Sequence, residues 1–428
     1  MEPAENDPPA EPRAPQGDCA MMGSLGQWKH VISRFRLRWV GRPRCPRFQS
    51  RSPMFDELSA RIGKHFASLT DPRRRKVTYP LINIVTMTLC AVIAGADDFV
   101  TIAAWARQKR AWLARILDLS NGIPSHDRFN AIFKAIKPAE FERCLLGWVT
   151  SLHEVTAGQL VAIDGKTLRQ SFDKADAKSA IHMVSAWATA NHISLGQVVV
   201  DQKSNEITAI PKLLELLDVS GCLVTIDAMG CQTEIAGKII EAKADYVLAV
   251  KANQPTLHEG IVEFFLDQME DDFARIKVSR HETKEHGHGR DEHRTYYVCD
   301  VPDDLPDRAR WKGLKRIGVA ISDTDRSGKS CDDVRYYILS KKLNARSFGA
   351  AVRGHWGIEN SLHWQLDMSF NEDRSRIRKG HADANFSIVR RMALSLLKNE
   401  KSQKVGVRTK RLTAGWNDDY LEQVLFGT

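Results

Sequence analysis

The sequence predicts a mixed α/β protein with a central sheet, preceded by a smaller helical region. Three observations predict it. Apolar residues recur at three- and four-residue spacing from Phe55 to Leu152; from Gly158 short apolar runs alternate with helical ones; and strand texture returns between Arg275 and Leu343 before helical spacing resumes at Ser347. With 428 residues, 43% hydrophobic and 27% charged, the chain can build the cores of two or three domains. A wholly disordered or fibrous protein is excluded.

Residues 1–53 differ from the rest. Pro and acidic residues crowd the start, and Lys29 to Arg51 hold eight basic residues and no acidic one, so this extension is expected to be disordered. It is either a basic arm for DNA or a non-structural extension with Met54 as the working start. Residues 54–152 read as a helical domain, through Phe55, Leu58, Ile62 and Phe66 and again Trp105, Trp112, Leu113, Ile116 and Leu117. Its turns include Asp71-Pro72-Arg73-Arg74-Arg75-Lys76 and Gly122-Ile123-Pro124-Ser125-His126-Asp127-Arg128, the latter with a Ser cap. Such a turn suits a DNA-binding helix-turn-helix or any helical domain, and Arg73 and Arg74 are either DNA contacts or a solvated face. The most apolar run, Pro80 to Ala96, contains Asn83 and ends at Asp97 and Asp98. A membrane span needs ~20 clean apolar residues, so this run is expected as a buried helix.

From 158 to 400 the pattern is α/β. Leu160–Asp164 reads as a buried strand, 181–190 and 193–201 as a hairpin around Asn191-His192, 211–218 as a helix, and Cys222–Asp227 as a second buried strand. A helix over 233–242, a strand over 246–250 and a helix over 257–269 follow. Strands at 294–299, 316–321 and 334–339 are expected to form a β insertion over about 270–345. Residues 401–428 read as a basic tail.

The charge balance is 62 − 53 = +9, the sign expected for a phosphate-rich partner such as nucleic acid. From Arg374 to Arg411 there are twelve Lys or Arg against two acids, either a DNA track beginning at Arg374, Arg376, Arg378 and Lys379 or an exposed helical face. Eight cysteines lie far apart with no Cys-x-x-Cys pair, which suggests neither a zinc ribbon nor a disulfide framework and fits a reducing, cytosolic setting.

Two apolar runs end in an acid, Ile163-Asp164-Gly165-Lys166 and Ile226-Asp227-Ala228-Met229-Gly230. An acid on a buried strand is costly unless a cation meets it, so each either binds metal or caps a turn or pairs with a lysine such as Lys166. A third acid lies in Gly354-His355-Trp356-Gly357-Ile358-Glu359-Asn360-Ser361-Leu362-His363-Trp364-Gln365-Leu366-Asp367. On a helix, Glu359, His363 and Asp367 share a face beside an apolar stripe of Ile358, Leu362 and Leu366. Three acids could hold two ions ~3.5 to 4 Å apart, as two-metal phosphoryl transfer requires. Oxygen ligands without a nearby His or Cys favour Mg²⁺ or Mn²⁺ over zinc. Trp356 and Trp364 are expected in the core rather than stacked on bases. His281, His286, His288 and His293 are read as part of a turn able to touch DNA rather than a zinc site.

Asp164, Asp227 and Glu359, in that order and with a strand-rich stretch before the last acid, resemble the DDE transposases, whose RNase H-like catalytic core carries such an insertion. The phrases Ile163-Asp164-Gly165-Lys166, Thr225-Ile226-Asp227-Ala228-Met229-Gly230-Cys231-Gln232, Val250-Lys251-Ala252-Asn253-Gln254-Pro255 and His355-Trp356-Gly357-Ile358-Glu359-Asn360 resemble the H-repeat, Rhs-associated branch of bacterial insertion-sequence transposases. Asp71-Pro72-Arg73-Arg74, Ala94-Gly95-Ala96-Asp97 and Gly122-Ile123-Pro124-Ser125-His126-Asp127 in the front domain share the resemblance, which spans about 54–400.

The resemblance implies a DNA transposase that binds terminal inverted repeats and carries out Mg²⁺-dependent strand cleavage and transfer. It implies two Mg²⁺ ions, with Mn²⁺ as substitute, held by Asp164, Asp227 and Glu359. Double-stranded DNA would be the partner, as inverted repeats and target. A homodimer is expected in the synaptic complex, in the bacterial cytoplasm at the nucleoid and with no membrane. A related clade places Tyr and Arg before the Glu and Lys after it, where this chain has Val352, His355 and Leu366. Arg353, His355 and His363 are the candidate DNA contacts in their stead, while Lys166 and Lys251, following core strands, are either phosphate contacts or solvated strand-end lysines. An RNase H-like structure-specific nuclease and a catalytically silent DNA-binding relic are the competing readings.

Overall fold

A nine-stranded sheet organises the computed structural model, which describes residues 63–74, 77–152, 158–172, 179–200, 205–287, 290–326 and 329–427. The expected arm over 1–53 lies outside the described residues, as do Arg75, Lys76 and His288. The strands are β1 (Leu160–Thr167), β2 (His182–Ala188), β3 (Ile193–Val200), β4 (Leu223–Ile226), β5 (Asp245–Val250), β6 (Val278–Gly287), β7 (Arg290–Asp300), β8 (Arg316–Arg326) and β9 (Lys329–Leu339). Their order across the sheet is β3-β2-β1-β4-β5-β9-β8-β7-β6.

The centre, β1, β4 and β5, is parallel, and these strands are the near-continuous apolar runs that burial on both faces demands. The expected hairpin, β2 and β3, pairs antiparallel on one side of β1. On the other side β9 pairs with β5, so the strand-rich stretch continues the same sheet as an antiparallel meander. Its strands run several residues beyond the apolar segments, since their outer ends carry solvated residues such as Glu282, Lys284, Asp323 and Asp332. Those ends give no alternating apolar signal.

Each face of the sheet carries its own helices. Helices α6 (Glu206–Leu216), α7 (Thr233–Glu241) and α8 (Pro255–Glu270) bury Ile210, Ile235, Ile239 and Ile261 with Val224, Ile226 and Leu248. On the opposite face, α9 (Ala345–Ile358) packs Phe348, Ala351 and Val352 against Leu223, Val247, Tyr296 and Tyr337. Alternate residues of one strand thus serve two cores. Helix α6 begins five residues before Pro211, where the sequence suggested its start.

The front helices are α1 (Leu81–Ile93), α2 (Phe99–Gln108), α3 (Arg110–Ile116), α4 (His126–Ala135) and α5 (Pro138–Leu152). Helix α1 is buried nearly throughout, as expected of that run, and no helix among the described residues is long and apolar enough to cross a membrane. Asp98 and Thr101 form a capping box on α2, and Ser125 caps α4. Helices α1, α4 and α5 pack around α11 (Ala382–Asn399), which follows α10 (Trp364–Phe370) and is buried along almost its whole length.

The segment expected as a basic tail instead holds α12 (Val407–Trp416) and α13 (Asp418–Phe426). Leu421, Val424 and Leu425 are buried, and Lys109 of α3's N-terminal flank pairs with Asp418 at 2.6 Å. Its basic residues do not all face solvent, because Lys410 and Arg411 are internal. Lys410 is buried against Glu400, and Arg411 donates to Val92 O at 2.9 Å and pairs with Asp97 at 2.8 Å.

Candidate active site

Asp164 is the fifth residue of β1, and Asp227 follows the last residue of β4. Because β1 and β4 are parallel with Ile163 opposite Ile226, the two acids come next on adjacent strands. Asp227 is held by the turn it begins, its Oδ1 accepting from Met229 N at 3.1 Å and Gly230 N at 3.3 Å. Asn253 donates to Ala228 O at 2.7 Å and Gln254 to Cys231 O at 3.0 Å, so the residues after β5 brace the loop that carries Asp227.

Glu359 opens a five-residue π turn, Glu359–His363, between α9 and α10. Such turns insert a residue into a helix and cluster at functional sites. Here Ile358, Leu362 and Leu366 form the expected buried stripe. His363, 3% exposed, sets Nδ1 3.1 Å from Glu359 Oε2 and 3.5 Å from Asp164 Oδ2. Asp164, Glu359 and His363 are the group of three that could share an ion among the described residues, with ligand atoms within 4.8 Å of one another. Asp227 stands beside this group, close enough that its charge acts on Asp164.

The electrostatics are those of a cation site. Burial, and then the negative charges of Asp227, Glu206 and Glu359, push the Asp164 carboxyl up to about 7. The hydrogen bond from His363 holds Glu359 below the usual carboxylate range, and burial lowers the His363 imidazole. Carboxylates crowded in a half-buried pocket repel one another unless positive charge joins them, and hard oxygen donors fit a divalent ion.

The other expected contacts are sorted by what they touch. Asp367 does not join the acids, because Lys166 draws it away: the buried ammonium pairs with Asp367, lies 3.5 Å from Glu372 and donates to His363 O at 3.3 Å. Lys166, expected as a phosphate contact or a solvated strand-end lysine, is buried rather than solvated. His363, another expected DNA contact, is committed to the acid cluster instead. His355 is tucked against Thr225 Oγ1 at 3.1 Å, Arg353 pairs with Glu285 at 2.6 Å, and Arg73 is clamped by Asp71 and donates to Tyr79 O at 2.7 Å. Arg74 and Lys251 are exposed.

Arg374, Arg376, Arg378 and Lys379 line a groove of about 820 Å³ together with Lys134 and His126. Arg378 also donates to Gln170 O at 2.9 Å. Of the twelve basic residues counted from Arg374, Arg390, Arg391, Lys410 and Arg411 are buried, so the surface is less lopsided than the count. Trp356 and Trp364 were expected in the core, yet they are 46% and 53% exposed. The apolar stripe beside them takes the inward positions, and the Arg335 guanidinium lies 4.6 Å above the Trp356 ring. On the β6–β7 hairpin, His286 pairs with Asp291 and His293 sits between Glu282 and Asp323 at 3.3 and 3.6 Å.

Two neighbours of the site carry no sequence signal. Glu206, at the start of α6, receives His182 Nε2 at 2.6 Å and presses on Gly165, where a Cβ would fall 2.1 Å from Glu206 Oε1. Only the folded sheet brings α6 to the residue after Asp164.

Comparison with known proteins agrees with this geometry. Residues 156–396 match the family model described as "Transposase DDE domain", and residues 63–149 match "DDE_Tnp_1-associated". The chain belongs to the DDE transposase family. It is 46% identical over 354 residues to "Putative transposase YncI" of Escherichia coli O157:H7, covering 82% of this chain and 90% of that one. It is 41% identical over 378 residues to "H repeat-associated putative transposase YhhI" of Escherichia coli strain K12, covering 86% and 98%. The transposase therefore falls in the H-repeat branch that its motifs resemble.

Proposed function

We propose that this transposase binds the terminal inverted repeats of its insertion element and catalyses divalent-metal-dependent DNA strand cleavage and strand transfer, with Asp164, Asp227 and Glu359 as metal ligands. The observation that carries the reading is the meeting of Asp164 and Glu359, 195 residues apart in the chain, at one polar cluster with Asp227 on the neighbouring strand. The centre of the sheet with α6 to α9 serves as an RNase H-like core, and β6 to β9 as its insertion.

Ions held by Asp164, Asp227 and Glu359 would supply the acidity that activates a water or DNA 3′-hydroxyl and the positive charge that stabilises the leaving oxygen. The chain's own part is placement. Asp164 and Asp227 are fixed by strand pairing and by the turn after β4, and Glu359 by the π turn. Exposed cations in the Arg374 to Lys379 groove, together with Arg74 and Lys251, neutralise phosphates of the duplex and orient it. Joining two element ends calls for two subunits, and the protein works at the nucleoid in the cytoplasm.

Incubation of the full chain with Mg²⁺ or Mn²⁺ and a labelled terminal repeat tests this. Nicking followed by strand joining is expected; nicking alone would make it a structure-specific nuclease, and binding alone a silent relic. Asp227→Ala should cut cleavage at least ~100-fold while DNA affinity holds, and retained cleavage would remove Asp227 from the site.

A further inference from the structure

Oxygen ligands alone favour magnesium, and the folded chain adds a histidine beside them. We propose that His363 Nδ1 is a direct ligand of the ion held by Asp164 and Glu359, and that the site accordingly prefers Mn²⁺ to Mg²⁺. The inference rests on the reading that these acids bind a divalent ion.

The separations carry it. Neighbouring ligand atoms around an ion with bonds of ~2.1 Å lie about 3.0 Å apart in octahedral and about 3.4 Å apart in tetrahedral arrangement. Nδ1 of His363 is 3.1 Å from Glu359 Oε2 and 3.5 Å from Asp164 Oδ2, separations close to those of neighbouring ligand atoms on one ion. Among the described residues, Nε2 of the ring is buried with no hydrogen-bond partner, and the imidazole is walled in at 3% exposure.

The π turn gives the pair its aim. The turn bond runs from Trp364 N to Glu359 O, spanning five residues, and Glu359 and His363 form its two ends. Lys166 then holds the His363 carbonyl from below at 3.3 Å, so the ring is anchored by its backbone and is not needed to pair with Lys166 itself. An imidazole donor favours transition-metal ions over magnesium, whose ligands are almost always oxygen.

Pulsed electron paramagnetic resonance of the full chain loaded with Mn²⁺ alone reads the bond directly. The wild type should show ¹⁴N coupling of a coordinated imidazole, converted to ¹⁵N coupling by labelling histidine. His363→Gln should lose that coupling and about tenfold in Mn²⁺ affinity, while Mg²⁺ affinity changes less than about twofold. Glu359→Gln should weaken both ions. Mn²⁺ bound without nitrogen coupling, or equal losses for both ions in His363→Gln, would make His363 a group that merely orients Glu359 and overturn the inference alone. A wild type that binds neither ion would overturn the metal reading as well.

Discussion

Lys166 lies two residues beyond Asp164, and its ammonium joins β1 to the segment that follows Glu359 through Asp367, Glu372 and His363 O. Glu372 is itself fully enclosed, and its charge is kept by Arg391, Lys166 and Arg390, whose attraction outweighs burial. Removing one partner of such a group leaves an uncompensated buried charge, worth ~3 kcal/mol. Lys166→Met should therefore lose about that much in urea unfolding, with Lys166→Arg retaining part of it. Glu142 makes the opposite case. Burial pushes its carboxyl up to about 8, although it accepts from Gln197 N and lies near Arg391. Between the ordinary carboxyl value of 4.5 and about 8 the folded state holds a proton that the unfolded state has released, so stability present below 4.5 is lost as pH rises through 8. Unfolding free energy measured from pH 5 to 8.5 should fall in the wild type and fall less in Glu142→Gln.

At the scale of elements, α9 matters most, because it carries Glu359 across the sheet to Asp164. Its approach to β7 depends on Gly349, where a Cβ would lie 2.9 Å from two atoms of the buried Tyr296 ring. Alanine normally strengthens a helix interior by ~1 kcal/mol over glycine. Here the rigid ring cannot yield, and overpacking costs ~1–3 kcal/mol, so the clash wins. Gly349→Ala should lower the melting temperature in calorimetry; an unchanged or raised value would show that the helix has room. The run from α9 through the π turn into α10 explains why Trp356 and Trp364 escaped the core: helical spacing says which residues share a face, and Ile358, Leu362 and Leu366 already fill the inward one.

Over the whole molecule, the charge of +9 is not spread as the sequence count suggests. Arg390, Arg391, Lys410 and Arg411 are spent internally, and Arg411 binds Val92 O at the end of α1 and Asp97 just after it, while also donating to Ser369 O beyond the π turn. Of the proposed DNA contacts, Arg374, Arg376, Arg378 and Lys379 line one groove, which Asp97 and Asp98 also border. DNA affinity should fall log-linearly with salt, and Arg374→Ala or Arg376→Ala should each reduce the slope by about 1, as loss of one phosphate contact does. The same test on Arg390→Met should leave the slope unchanged, since that side chain is buried.

The sequence by itself determined what is local or periodic: the apolar runs that became β1, β4 and β5, the buried stripe beside Glu359, the capped turn at Ser125, and the motifs that mark the family. Two acids that each follow an apolar run on adjacent parallel strands were readable because each strand announced itself, although β1 continues three residues past Asp164. Tertiary structure alone decided who meets whom. His363 at Asp164, Glu206 beneath Gly165, Lys166 bound to Asp367, and the burial of Arg390 and Arg411 join residues far apart in the chain. Side-chain periodicity gives direction within one element, and only packing of one element on another converts a charged residue from surface to interior.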